Sequence, residues 1–204
     1  EKPVPKQIYT YGLALWELGV SVIVFFSIDT FLVVKFLGLK VMALYSAIFA
    51  VMRIYEFATQ SLFNVYSQKF SKDKNIDTVG FFKILIIIAT GLTLFYVFLT
   101  NPLLKILFKG KYIASTTLVI FVCIYFILNL LYVLPSCYLV GHSSKQEIRY
   151  MMVVNITSIV IKVVLIFQFK AYGLTGFIGA GIIALAFRTA SGYYLAFRKK
   201  HKTE

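Results

Sequence analysis

The sequence predicts an all-α membrane protein, a single bundle of six transmembrane helices, on three observations. Of 204 residues, 60% are hydrophobic and only 14% are charged, whereas soluble domains are about 45–50% apolar. The mean hydropathy is +0.84. The apolar runs are long enough to cross a bilayer, which takes ~20 helical residues. They also lack the period-two alternation of a membrane barrel, so helices rather than strands are expected to satisfy the backbone in lipid.

Taken in order, residues 1–10 read as a linker, because Pro3 and Pro5 alternate with Lys2, Val4 and Lys6 and cannot sustain a helix. Residues 11–197 form the bundle and 198–204 a basic tail. The spans fall at 11–37, 41–68, 79–100, 115–140, 147–169 and 174–197. Several exceed the bilayer thickness, so tilt or protrusion is expected. Asn101-Pro102 is expected to end the third span and Pro135 to kink the fourth. Residues 105–111, with Lys105, Lys109 and Lys111 around Ile106, Leu107 and Phe108, read as a short amphipathic connector at the outer interface. Gly173, Gly176, Gly179 and Gly181 would let another helix approach the sixth span closely. Cys123 and Cys137 share one span about 21 Å apart by helical rise, too far to bridge each other; they read as small packing residues. The chain opens on Glu1, and no basic segment with a cleavage site precedes the first apolar run. No signal peptide is read there, and the chain is expected to be a piece or processed part of something longer.

Net charge is +13, with Lys and Arg mostly between the apolar runs, where cytoplasmic loops carry them. Nucleic-acid binding is the weaker account, since no basic stripe sits on a soluble domain. Twelve Lys and Arg residues fall on the side of the termini and six on the other. The positive-inside rule therefore places both termini in the cytoplasm.

The second span carries the polar residues that matter most. At 100° per residue, Ser46, Arg53, Glu56, Gln60, Asn64 and Ser67 fall within roughly an 80° arc, with Phe49 among them. Lipid cannot solvate that stripe, because a charge at the bilayer centre costs about 2.5–3.5 kcal/mol even on a lenient scale. The stripe must face other helices or a water-filled cavity. Arg53 and Glu56 also stand at i,i+3 and can neutralise each other. Asn155, Ser158 and Lys162 share one face of the fifth span; Gly181, Ala184, Arg188 and Ser191 share one of the sixth; Tyr125, Asn129, Tyr132 and Ser136 share one of the fourth. Glu17 and Asp29 lie about 120° apart on the first. Ionisable residues within membrane spans point to ion or substrate pathways. Two bland alternatives remain open: Asp29 near the hydrated interface, and Lys162 snorkelling. If these charges converge, the site is cationic and suits a phosphate or diphosphate, which Arg grips with paired donors.

Enzyme signatures are missing: there is no H-E-x-x-H, no Walker A and no Cys/His metal spacing. Gly179-Ala180-Gly181-Ile182-Ile183-Ala184 matches G-x-G-x-x-A in letters, but no strand precedes it. His142 and His201 stand alone in basic loops. No enzyme activity, cofactor or metal is expected.

Four segments together resemble the bacterial polysaccharide-biosynthesis flippases, which handle lipid-linked oligosaccharide such as O-antigen and share a superfamily with the multidrug and toxic-compound extruders. They are Ser27-Ile28-Asp29-Thr30-Phe31-Leu32-Val33-Val34-Lys35-Phe36-Leu37-Gly38; Val41-Met42-Ala43-Leu44-Tyr45-Ser46-Ala47; Leu107-Phe108-Lys109-Gly110-Lys111-Tyr112; and Tyr172-Gly173-Leu174-Thr175-Gly176-Phe177-Ile178-Gly179-Ala180. Thr30 stands where many relatives carry Arg, and Ala43 where many carry Gly. The resemblance is to the C-terminal half of such transporters. It implies half of a two-bundle, alternating-access machine that moves undecaprenyl-diphosphate-linked sugar units across the bacterial cytoplasmic membrane. It also implies a partner: a missing N-terminal six-helix bundle or a second copy. On that reading Arg53, Glu56, Gln60, Asn64, Lys162 and Arg188 line the substrate cavity. Asp29 and Glu17 hold a coupling ion or pair with the basic residues. Two other readings are kept: half of a cation-coupled drug antiporter, which Tyr125 and Tyr132 support, and a membrane scaffold or assembly subunit whose stripe is a helix–helix interface.

Overall fold

The computed structural model describes the backbone of residues 6–72, 77–142 and 145–203, and the side chains of residues 12–13, 15–72, 77–141 and 148–196. Among them there is no strand. The elements are α1 (Lys6–Leu37), α2 (Leu39–Val51), α3 (Arg53–Lys72), α4 (Thr78–Leu107), α5 (Thr116–Leu131), α6 (Val133–His142), α7 (Lys145–Phe169), a 3-10 turn at Lys170–Tyr172, and α8 (Gly173–Thr203). Residues 6–10, expected as linker, begin α1, and the basic tail continues α8 as far as Thr203. Residues 1–5 and His142 and His201, as side chains, lie outside the described set.

Four helical stretches are long and apolar enough to cross a membrane: Leu15–Leu37, Thr78–Leu107, Thr116–Gly141 and Ile148–Ala196. A fifth is added when the bent pair α2–α3 counts as one span. By this measure the expected count of six is met only in part. The last stretch is 49 residues long and contains both α7 and α8. These fold back on each other at the 3-10 turn, so that a Cβ on Gly181 would stand 3.6 Å from Lys162 Cε. The outer surface is apolar, with Ile23, Phe31, Ile87, Leu94, Phe98 and Val160 all exposed. That is the surface a protein dissolved in lipid needs, and more apolar than a water-soluble monomer carries.

The second expected span is not one straight helix. It breaks at Met52, and the two pieces meet at 50°. No Pro or Gly lies between Val41 and Gln68, so the cause is tertiary. Just past the break, Tyr55 is fully buried and stacks between Tyr96 and Phe126, with centroids at 5.4 and 5.3 Å. Its hydroxyl meets Thr93 Oγ1 at 2.8 Å. The chain turns tightly to reach that slot, Tyr55 N–H donating to the Met52 carbonyl three residues back at 3.0 Å. Beyond it, α3 packs on α6: a Cβ on Gly141 would stand 2.8 Å from Phe70, so only glycine permits this approach.

At Pro135 the fourth span is interrupted but still counts as one stretch, Thr116–Gly141. The proline has no N–H for the Leu131 carbonyl, and the helix breaks at Tyr132 into α5 and α6. The freed Leu131 carbonyl accepts instead from the Tyr193 hydroxyl of α8 at 3.1 Å. Pro102 does not behave as expected. It sits inside α4, which runs on to Leu107 and absorbs the first residues of the expected connector. Burial of Thr100 and Leu104 on either side holds the helix through it. Its neighbour Asn101 closes the following loop, donating Nδ2 to the Ala114 carbonyl and accepting from the Ala114 N–H through Oδ1, both at 3.0 Å. Ser115 then caps α5 by accepting from Leu118 N–H at 3.2 Å.

The main core joins α1, α2, α5, α7 and α8 around Phe25, Ile48, Val122, Phe126 and Ala184. A smaller one joins α3, α4 and α6 around Phe70, Phe81, Leu85 and Cys137. Cys123 and Cys137 are buried and unbridged, as the spacing requires. Replacing Asn101 by Ala leaves the Ala114 N–H and carbonyl unpaired. We expect a loss of about 1–3 kcal/mol, read as a lower thermal midpoint in detergent.

Candidate functional site

The residues singled out in the sequence separate into two groups. The first lies inside the bundle. Lys162 of α7 is fully buried, and its Nζ donates to Asp29 Oδ2 of α1 at 2.7 Å and to the Phe25 carbonyl at 2.8 Å. The Tyr45 hydroxyl of α2 donates to the same Asp29 oxygen at 3.4 Å. So Asp29 is not at a hydrated interface and Lys162 does not snorkel; they neutralise each other. The ring of Phe25 lies 4.2 Å from Lys162 Nζ, a cation–π contact.

Arg188 of α8 is 2% exposed. Its guanidinium lies 4.1 Å from the Tyr132 ring centroid and 5.3 Å from that of Phe25. Its Nε and Nη1 have no hydrogen-bond partner among the described residues. With two cations and one carboxylate the interior group carries a surplus positive charge. Asn155 and Ser158 of α7 complete it: Asn155 Nδ2 donates to Ser21 Oγ of α1 at 3.0 Å, and Ser158 Oγ donates to the Asn155 carbonyl at 2.7 Å. Small residues on α8 make room. A Cβ on Gly181 would stand 2.9 Å from the Tyr125 ring, so any other residue there would displace that tyrosine or α8 itself.

The second group lies on the outside. Arg53, Glu56, Gln60 and Asn64 are all exposed along α3, with Ser46 exposed on α2. Arg53 and Glu56 pair at 3.8 Å, with side chains 72% and 51% exposed. Gln60 Nε2 donates to Asn64 Oδ1 at 3.3 Å. Pairs of this kind, open to solvent, add little stability. Glu17, on α1, is half-buried and joins neither group.

An aromatic wall stands between the two. Tyr45 and Phe49 stack at 4.2 Å, and Phe49 meets Tyr125 at 5.9 Å and Phe126 at 5.3 Å, edge-on and tilted. Phe49 belongs to the arc of the stripe, and Tyr45 touches the buried carboxylate. The wall therefore has one side on each group. Sequence reasoning missed Phe25 and Tyr45. Tyr45 offered a signal, being one helical turn before Phe49; the Phe25 carbonyl offered none, since a backbone acceptor looks the same at every position.

Comparison with protein-family models, with curated proteins and with solved structures found no match.

The Asp29–Lys162 pair makes a sharp prediction. Lys162→Met alone strands a buried carboxylate and is expected to cost about 3–5 kcal/mol. The Asp29→Asn/Lys162→Met double variant is expected to recover most of that loss. Thermal midpoints of the four proteins in detergent measure the coupling, and additive losses would show that the pair does not act as a unit.

Proposed function

We propose that this chain is one half of a membrane flippase that moves undecaprenyl-diphosphate-linked oligosaccharide across the bacterial cytoplasmic membrane, with both termini cytoplasmic. The observation that carries the reading is the polar stripe of α3: Arg53, Glu56, Gln60 and Asn64 exposed on the outside of a bundle whose surface is largely apolar. Lipid would penalise that face. A second six-helix bundle, or a second copy of this one, placed against it would enclose a hydrated cavity with the stripe as one wall. Arg53 would then meet the diphosphate with charge-assisted hydrogen bonds. The sugar would occupy the water-filled space and the lipid tail would run between helices.

Lys162 and Arg188 serve this machine differently from Arg53. Both are buried behind the aromatic wall, and the 2.7 Å contact to Lys162 favours a pairing role for Asp29 over a coupling-ion role. The surplus charge behind the wall still favours an anionic cargo over an organic cation, which weighs against the antiporter reading. The scaffold reading rests on the same stripe and differs in one respect: there the stripe is packed dry against a neighbour.

Solvent access separates the two. Cysteines at Gln60 and Asn64 are expected to react with a membrane-impermeant maleimide in the assembled transporter; protection of both at normal expression would favour the scaffold. In cells lacking their own flippase, Arg53→Gln is expected to lower surface polysaccharide about tenfold or more, the worth of one charge-assisted contact. Normal export at normal protein level would remove Arg53 from the substrate path.

A further inference from the structure

At one end of the bundle α1 hands over to α2, α4 to α5, and α7 to α8. The three turns there carry Lys35, Lys40, Lys105, Lys109, Lys111 and Lys170, and every one of these lysines is exposed. Residues 30–44, 101–118 and 167–178, which form the turns, contain no Asp or Glu. Asp29, next in sequence, is buried and paired with Lys162. This end therefore presents positive charge with no exposed carboxylate to balance it. Helix dipoles favour Lys35 and Lys105, which lie in the last turns of α1 and α4. They oppose Lys40, which stands in the first turn of α2. Lys109 has a φ of +52°, a left-handed conformation that no other non-glycine among the described residues adopts, and one that strains a side chain of this size.

The turn between α4 and α5 is the most firmly built of the three. It lies between two stretches able to cross a membrane, one ending at Leu107 and the next beginning at Thr116, so it stands at headgroup level. Gly110 N–H donates to the Lys105 carbonyl at 2.9 Å and Lys111 N–H to that of Phe108 at 3.0 Å. Asn101 clasps Ala114 from below through two hydrogen bonds. Phe108 and Tyr112 meet edge to face at 5.4 Å and turn inward onto the main core. Between these anchors the outward side chains mix two kinds: the lysines at 105, 109 and 111, and Ile106, Leu107 and Ile113, which are 74%, 62% and 78% exposed.

A rigid turn of this composition is complementary to a lipid leaflet that bears negative charge. The exposed apolar side chains can enter the upper part of the hydrocarbon, while the flexible lysine stems lift their ammonium groups to the level of the phosphates. An acidic protein would satisfy the lysines and leave Ile106, Leu107 and Ile113 without a use. We infer that the α4–α5 turn is a binding surface for the headgroups of anionic phospholipids, held by Lys105, Lys109 and Lys111, with Lys35, Lys40 and Lys170 extending the same preference around the rim. A zwitterionic headgroup brings the same phosphate with its charge already cancelled, so the turn discriminates by net charge. Each Lys near an anionic surface contributes about fivefold to such a preference. The surface is independent of the transport reading, since it shares no residue with the stripe or with Asp29, Lys162 and Arg188.

The test uses the full chain in phosphatidylcholine vesicles containing increasing fractions of phosphatidylglycerol or phosphatidylcholine brominated in the upper part of the acyl chains. The only tryptophan is Trp16. With Trp16→Phe in place, Ile113→Trp puts a reporter on the turn, and Ile106→Trp, in a separate protein, gives a second one on its other side. Brominated phosphatidylglycerol is expected to quench both reporters at about fivefold lower fraction than brominated phosphatidylcholine. Lys109→Gln/Lys111→Gln should remove most of that preference, and so should salt at about 1 M, which shortens the screening length to about 3 Å. Lys69→Gln/Lys72→Gln, at the end of α3 and the opposite end of the bundle, should leave it in place. Equal quenching by the two lipids at both reporters would overturn the surface and leave its lysines to an acidic protein. A preference that survives the loss of Lys109 and Lys111, or that falls as far with Lys69 and Lys72, would overturn it as well.

Discussion

A lysine and an aspartate that touch deep inside an apolar bundle leave the surrounding helices little freedom. Neither charge of the Asp29–Lys162 pair is tolerable alone in such an interior, where an unpaired ion costs several kcal/mol. α1 and α7 must therefore lie side by side in one register, with Lys162 reaching both the carboxylate and the Phe25 carbonyl one turn away. α2 joins through the Tyr45 hydroxyl. α8 must then come close enough to cover the lysine, and Gly181 is the residue that lets it. One contact at 2.7 Å thus organises four of the eight α-helices among the described residues.

Much of this arrangement is legible in the sequence, for a physical reason. Helical faces follow from a fixed 100° step, so the shared faces of Asn155, Ser158 and Lys162, and of Gly181, Ala184 and Arg188, are real features of α7 and α8 and are buried together. The outward stripe of α3 is equally visible. Periodicity cannot tell which face meets which. The stripe and the buried cations look like one site in sequence, and the fold puts them on opposite sides of an aromatic wall. Nor does periodicity reveal a bend with no Pro or Gly to cause it. The break at Met52 comes from the seat of Tyr55 between Tyr96 and Phe126, residues about 40 and 70 positions downstream. Pro102 misleads in the opposite sense, because buried neighbours carry α4 through a residue that usually ends a helix.

The separation of the two groups bears on how the charges divide their work. Exposed pairs such as Arg53–Glu56 exchange readily with water and other ions, so they can meet and release a cargo. A buried pair cannot exchange without moving its helices. The wall of Tyr45, Phe49 and Tyr125 gives the boundary between these regimes a definite thickness of one aromatic layer, and rings of this kind pack in a few preferred geometries rather than sliding continuously.

Pro135 leaves the Leu131 carbonyl without a partner in its own helix, and Tyr193 of α8 supplies one. The break in the fourth span is thereby latched from outside. Closing it would not restore a backbone bond, because proline has none to offer; it would only strand the carbonyl. Rolling α8 about its axis withdraws the Tyr193 hydroxyl and carries Arg188 with it. One turn earlier on α8, the Thr189 hydroxyl donates to the Leu128 carbonyl at 3.3 Å, so two side chains of one helix hold the break in another.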